Sequence, residues 1–154
     1  MGHSISVELI APSPSNWEAF GTQLFDIEKS AFGEQAFDKE MMEADIRDPK
    51  ATLVVLRDAD SIVGFTYALP EGEGVARIVD TAIVKEHQNK GLVSMLMSCL
   101  ETKLKNDGYE YVTRDSMIEN GYADKITRKY GPRIVETQDF TGAYGKQRHF
   151  KIKL

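Results

Sequence analysis

The residues most suited to chemistry run from Asp80 to Ser94: Asp80-Thr81-Ala82-Ile83-Val84-Lys85-Glu86-His87-Gln88-Asn89-Lys90-Gly91-Leu92-Val93-Ser94. An apolar stretch passes through a polar turn into a segment where Leu92, Val93, Leu96, Met97, Leu100 and Leu104 recur at helical spacing. A strand that turns into a helix in this way can bind an anion. The first helical turn leaves backbone N–H groups without partners, and the peptide dipoles add partial positive charge there. Gly91 has no Cβ to hold an oxyanion away from that backbone, and Lys85 and Lys90 add local positive charge. The expected ligand of Lys85, Gln88, Asn89, Lys90, Gly91, Leu92, Val93 and Ser94 is a phosphate or pyrophosphate. Neither G-x-x-x-x-G-K-[ST] nor G-x-G-x-x-G occurs in the chain. The single cysteine, Cys99, sits within the apolar stripe of the same helix and reads as a buried structural thiol. His3, His87 and His149 are scattered without metal-ligand spacing, so no metal is expected.

The surrounding elements must hold this turn in place. Ser6 to Ile10 alternates as a strand ended by Pro12 and Pro14, and a helix with Asn16 as its cap carries Trp17, Phe20, Leu24, Ile27 and Glu28, ending near Phe32-Gly33. A short helix spans Asp38 to Ile46 and stops before Asp48-Pro49. Ala51 to Arg57, Ile62 to Leu69 and Val75 to Val84 form an antiparallel meander, with turns at 58–61 and 70–74. After the Leu-rich helix, which is closed by Asn106-Asp107-Gly108, come a strand at Tyr109 to Thr113 and a helix marked by Ile118, Tyr122, Ile126 and Tyr130. Arg133 to Glu136 and Gln147 to Leu154 are the last strands, joined by a loop from Thr137 to Gly145. The expected fold is mixed α/β in one domain, 1–154.

Ala82, Ile83, Gln88 and Gly91 resemble motif A of the GNAT acetyltransferase superfamily, in which a hydrophobic strand leads to Arg/Gln-x-x-Gly-x-Gly/Ala; Val93 stands where a small residue is usual. Asn120, Ala123 and Gly131 fall at the spacing of that family's second signature on the next helix, with Thr127 where tyrosine is frequent. The resemblance implies a central, mostly antiparallel sheet flanked by helices, with one parallel strand pair splayed around acetyl-CoA. It further implies direct attack of a primary amine on the thioester. Ile83 and Val84 would hold the pantetheine arm, and Asn120 joins the cofactor residues. Asp80 is the candidate base, while Thr127 and Tyr130 are candidate proton donors. Phe32, Glu34, Phe37 and Tyr144 lie on the two loops between which the acceptor would enter.

Composition narrows the function classes. The 154 residues are 42% hydrophobic and 28% charged, which suits a folded domain, and a net charge of -5 argues against a nucleic-acid partner. One cysteine excludes an internal disulfide and fits a cytoplasmic protein; no apolar run approaches membrane-spanning length. The start Met1-Gly2-His3 formally fits an N-myristoylation pattern but is too short to carry weight. The acceptor, a small molecule or a protein amino group, stays open, as does pairing of the last hairpin into a homodimer. The competing class is a catalytically weak acyl-CoA sensor.

Overall fold

The computed structural model describes residues 4–154, and the Met1-Gly2-His3 start lies outside them. In chain order the elements are β1 (Ile5–Ile10), α1 (Asn16–Phe32), α2 (Lys39–Arg47), β2 (Thr52–Asp58), β3 (Ser61–Gly72), β4 (Val75–Ile83), α3 (Leu92–Asn106), β5 (Tyr111–Met117), α4 (Tyr122–Tyr130), β6 (Ile134–Gly142) and β7 (Gly145–Lys153). The strands form one sheet in the order β1-β2-β3-β4-β5-β7-β6, in which only β4 and β5 run parallel. Leu53, Val54, Val55 and Leu56 are all buried, which requires cover on both faces of β2. Leu24, Ile27, Met42 and Ile46 of α1 and α2 cover one face together with Leu53 and Val55. Leu96, Met97, Leu100 and Leu104 of α3, with Ile126 and Tyr130 of α4, cover the other with Val54 and Leu56. Among the described residues no helix is long and apolar enough to cross a membrane.

Two irregularities shape the middle of the sheet. Tyr67 pairs with Asp80 and Ala68 with Ile78, so Val79 is an extra residue, a bulge in β4. It reverses the strand's phase: Ala76 and Ile78 face α3, whereas Ala82 faces α1. Simple alternation puts Asp80 on one face with both Ala82 and Ile78; the bulge separates Ile78 from them. The second irregularity is that β4 pairs with β5 at only three positions, Val75↔Tyr111, Ala76↔Val112 and Arg77↔Thr113. Beyond them the strands part, opening a fork between the ends of β4 and β5.

Element boundaries differ from the sequence reading where long-range pairing decides them. β5 continues to Met117 because Asp115, Ser116 and Met117 pair with His149, Arg148 and Gln147. Accordingly α4 starts at Tyr122, not near Ile118, whose N–H donates to Lys146 O at 3.1 Å. The supposed loop from Thr137 to Gly145 is mostly strand β6, which leaves a turn of Ala143 and Tyr144. A shift of the chain by local preference alone would not have revealed that, since β6 is exposed along most of its length and takes its shape from β7.

Candidate active site

The near arm of the fork is the end of β4. Val84 N–H donates to Val63 O at 2.9 Å, toward β3, so by alternation Ile83 turns its backbone groups toward the fork. Ile83 O accepts a hydrogen bond from Gln88 Nε2 at 2.8 Å, which leaves the Ile83 N–H as the donor facing the gap. Gln88 therefore braces the turn instead of reaching outward. His87 braces it from the other side, with Nε2 at 2.9 Å from Asp58 Oδ2 on the β2–β3 hairpin.

Asn89 and Gly91 both adopt left-handed backbone, with φ 63° and 74°. This folds the chain back so that α3 begins directly after Gly91. The first turn of α3 has no side-chain cap and no acidic residue, so its N–H groups have no side-chain acceptor. A Cβ built at Gly91 meets nothing within 4 Å. The glycine is thus demanded by its φ, and the space above it is open to an anion. Val93 is 42% exposed at this turn. Lys129 of α4 reaches across to within 3.5 Å of Ser94 Oγ, and its burial pushes its pKa down, with Glu101 opposing. The sequence reading missed Lys129 because only the packing of α4 on α3 brings it to this turn. These residues fit a pyrophosphate: N–H groups without side-chain acceptors, a helix dipole, no carboxylate in the first helical turn and nearby lysines.

On the far arm, Asn120 Oδ1 accepts from Tyr122 N–H at 3.0 Å and so starts α4; its Nδ2 has only Met117 Sδ at 3.6 Å. The two candidate proton donors both have partners within the protein. Thr127 Oγ1 donates to Ala123 O at 3.0 Å, and Tyr130 Oη donates to Glu101 Oε2 at 3.0 Å. Both hydroxyls thus donate within the protein in this structure. Burial pushes the Tyr130 pKa up to about 12, with the Glu101 carboxylate adding to the shift.

The opposite face of the fork carries carboxyl groups. Asp80 and Glu28 are 8% and 1% exposed, and Asp80 Oδ2 and Glu28 Oε1 are buried without hydrogen-bond partners. Glu28 Oε2 accepts from Phe37 N–H at 2.8 Å, which ties the α1–α2 loop to the pair. Burial, followed by the facing Glu28 carboxyl, raises the Asp80 pKa well above the ordinary carboxylate range. Sequence analysis counted Glu28 only as part of the α1 face. The available signal was a carboxylate four residues after Leu24 on a core-facing stripe, a position charged groups rarely take without a role.

The acceptor candidates separate in the structure. Phe37 and Tyr144 face each other with ring centroids 6.2 Å apart, and the Tyr144 pKa is raised by burial and then by Glu28 and Asp80. Thus Phe37, Tyr144, Asp80 and Glu28 come together. Phe32 packs into the core under α1, and Glu34 is exposed on the α1–α2 connection. Across the fork on the same face, His149 Nδ1 lies 2.6 Å from Asp115 Oδ1, with Arg77 Nη2 3.9 Å from Asp115 Oδ2. His149 had shown no pattern in sequence, since β5–β7 pairing alone supplies its partner.

Of two surface depressions, the smaller, about 220 Å³, is lined in part by Thr113 and His149 on the far arm, and the larger lies elsewhere. The larger, about 410 Å³ and lined by Glu101, Thr102, Lys105, Arg133, Lys153 and Leu154, is at the far end of α3 from Gly91. Its position separates it from both the anion turn and the carboxyl pair. Cys99 is half-buried, and burial pushes its thiol pKa up. His3 is outside the described residues, and among those described no three His, Cys, Asp or Glu side chains are grouped to hold a metal ion.

The fold has counterparts among known proteins. A family model described as "Acetyltransferase (GNAT) family" matches residues 18–131. No curated protein matches the sequence. Among solved structures, the ribosomal-protein-S18-alanine N-acetyltransferase from Escherichia coli superposes with TM-score 0.78 at 12% identity, covering 97% of this chain and 93% of that one. Ard1 from Thermoplasma volcanium gives 0.75 at 17%, covering 96% and 97%. PaiA N-acetyltransferase from Thermoplasma acidophilum, solved in complex with coenzyme A, gives 0.68 at 13%, covering 97% and 99%.

Proposed function

Since the chain belongs to the acetyltransferase (GNAT) family, we propose that it moves an acetyl group from acetyl-CoA to a primary amine, using the fork between β4 and β5. The observation that carries this reading is the uncapped start of α3 behind left-handed Gly91, set at the mouth of that fork. The N–H groups of Leu92, Val93 and Ser94 would bind pyrophosphate, aided by Lys85, Lys90 and Lys129. Asn89 shapes the turn and Gln88 holds it to Ile83. Asn120 would line the far arm.

Bound acetyl-CoA supplies an acyl group activated as a thioester. The Ile83 N–H can donate to the acyl oxygen or to the adjoining amide of the arm, a preorganised donor of the kind that stabilises developing negative charge. The acceptor reaches the fork from the α1 side, between Phe37 and Tyr144. Asp80, with Glu28 beside it, takes the proton that the amine must lose. No other protein donor reaches Asp80 Oδ2 or Glu28 Oε1, and burial, followed by a proton shared between the two carboxyls, raises the Asp80 pKa, which suits a group that must take up a proton. With Thr127 and Tyr130 hydrogen-bonded elsewhere, the thiolate takes its proton from water or from the product side. The acceptor is a small molecule or a protein amino group, and a homodimer stays compatible with the exposed edge of β6.

The engaged hydroxyls of Thr127 and Tyr130 favour one competing reading, a sensor that binds acyl-CoA and turns over poorly. Calorimetry with acetyl-CoA followed by thiol release across an amine panel separates the two. Binding with amine-dependent thiol release is expected; binding without release at any acceptor supports the sensor, and no binding overturns both.

A further inference from the structure

Arg114 stands one residue past Thr113, the last β5 residue that pairs with β4, and so at the root of the fork. It shares the face of Val112, which is buried beneath α3, and its Nη1 lies 3.8 Å from Met97 Sδ. The guanidinium is poorly satisfied there. Its Nε is buried without a hydrogen-bond partner, and none of the ion pairs among the described residues includes it. Glu101, the carboxylate whose charge acts on it, is already taken by Arg133 Nη2 at 2.7 Å and by Tyr130 Oη at 3.0 Å. The Tyr130 hydroxyl, which donates to Glu101, is a neutral acceptor beside Arg114 and leaves its charge without a carboxylate of its own.

A buried guanidinium with five donors normally has an anion, since desolvating the charge alone costs several kcal/mol. Burial accordingly pushes the Arg114 pKa down, with Tyr130 and Glu101 opposing. Tyr130 Oη and Met97 Sδ give the guanidinium neutral partners only, and the carboxylate at hand, Glu101, is paired with Arg133. With pyrophosphate at the start of α3, as proposed above, the acyl end of the donor would point toward the root of the fork.

On the reading that the fork holds an acyl-CoA, we propose that Arg114 receives a carboxylate at the far end of the acyl chain, so that the preferred donor is a short dicarboxylic acyl-CoA of the succinyl type. The planar fork of guanidinium donors matches a carboxylate in two parallel hydrogen bonds. The transfer itself is unchanged and balanced. The acceptor nitrogen bonds to the acyl carbon, the carbon–sulfur bond breaks with its electron pair on sulfur, and the nitrogen's proton goes to the Asp80–Glu28 pair. The distal carboxylate takes no part in bond making and stays on Arg114.

Calorimetry with CoA, acetyl-CoA and succinyl-CoA tests this apart from turnover. The intact protein should bind succinyl-CoA at least 10-fold more tightly than acetyl-CoA. Arg114→Met should remove that preference while leaving CoA affinity within about threefold, and Arg114→Lys, which keeps the charge without the bidentate geometry, should retain part of it. A merely structural Arg114 would change all three ligands together. If CoA binds but succinyl-CoA gains nothing over acetyl-CoA in the intact protein, the proposal falls and the cofactor reading stands; if CoA itself does not bind, both fall. The comparison on the intact protein decides the matter even if Arg114→Met does not fold.

Discussion

At the scale of single residues, the Asp80–Glu28 pair, as the proposed base, would govern both rate and pH dependence. The raised Asp80 pKa means that the folded state binds a proton more readily than the unfolded chain does. Its contribution to stability is therefore complete below the ordinary carboxylate pKa and is lost as pH rises through the raised folded value. Asp80→Asn, a neutral isostere, should melt higher than the parent at alkaline pH, with the difference closing in acid. The same substitution should lower kcat by about 100-fold or more while acetyl-CoA affinity is kept. Glu28→Gln removes the facing like charge, so the acidic limb of the rate profile should move to lower pH. A limb that stays in place in Glu28→Gln would show that the two carboxyls do not titrate together. Thr127 and Tyr130 teach the reverse lesson. Their positions on α4 are legible in sequence, but the partners of their hydroxyls, Ala123 O and Glu101, are visible only in three dimensions.

At the scale of elements, the turn from β4 into α3 was legible because its signals are local. Gly91, Asn89 and the absence of an acid in the first helical turn all lie within a few residues of each other. Gly91→Glu puts a negative side chain into the open space above the turn and should weaken acetyl-CoA binding more than 10-fold in calorimetry. Gly91→Ala leaves that space nearly free but strains the left-handed backbone, at a cost of about 1–2 kcal/mol read as a lower melting temperature. If Gly91→Glu binds as the parent does, pyrophosphate sits elsewhere. Boundaries farther along escaped local reading. β5 runs to Met117 and β6 to Gly142 because β7 supplies their partners, and the hydrogen bonds of such strands are made with residues distant in sequence. The Val79 bulge escaped for the same reason. An apolar strand reads alike with or without one extra residue, yet that residue decides whether Asp80 faces α1 or α3.

At the scale of the whole molecule, two sheet halves, β1 to β4 and β5 with β7 and β6, meet through three parallel pairs. α3 and α4 span the join on one face, whereas on the other α1 and α2 cover mainly the first half. A ligand lying in the fork would tie the halves together. Acetyl-CoA at about 100 times its Kd should add about 2.7 kcal/mol of stability. Hydrogen exchange should slow most at Thr81 to Ile83 and at Asp115 to Met117; protection confined to the first turn of α3 would mean that the arm does not enter the fork. What the sequence determined by itself was the order of elements around the Leu-rich helix, the turn from β4 into α3 and the family, all carried by periodicity and short-range spacing. Only the tertiary structure decided which groups share the site. Glu28 meets Asp80, Lys129 meets Ser94, His149 meets Asp115 and Arg114 is left without a carboxylate, because each relation spans 34 to 52 residues or depends on what failed to come near. Contacts between residues so far apart are set by packing and strand register, which no local pattern of residue types encodes.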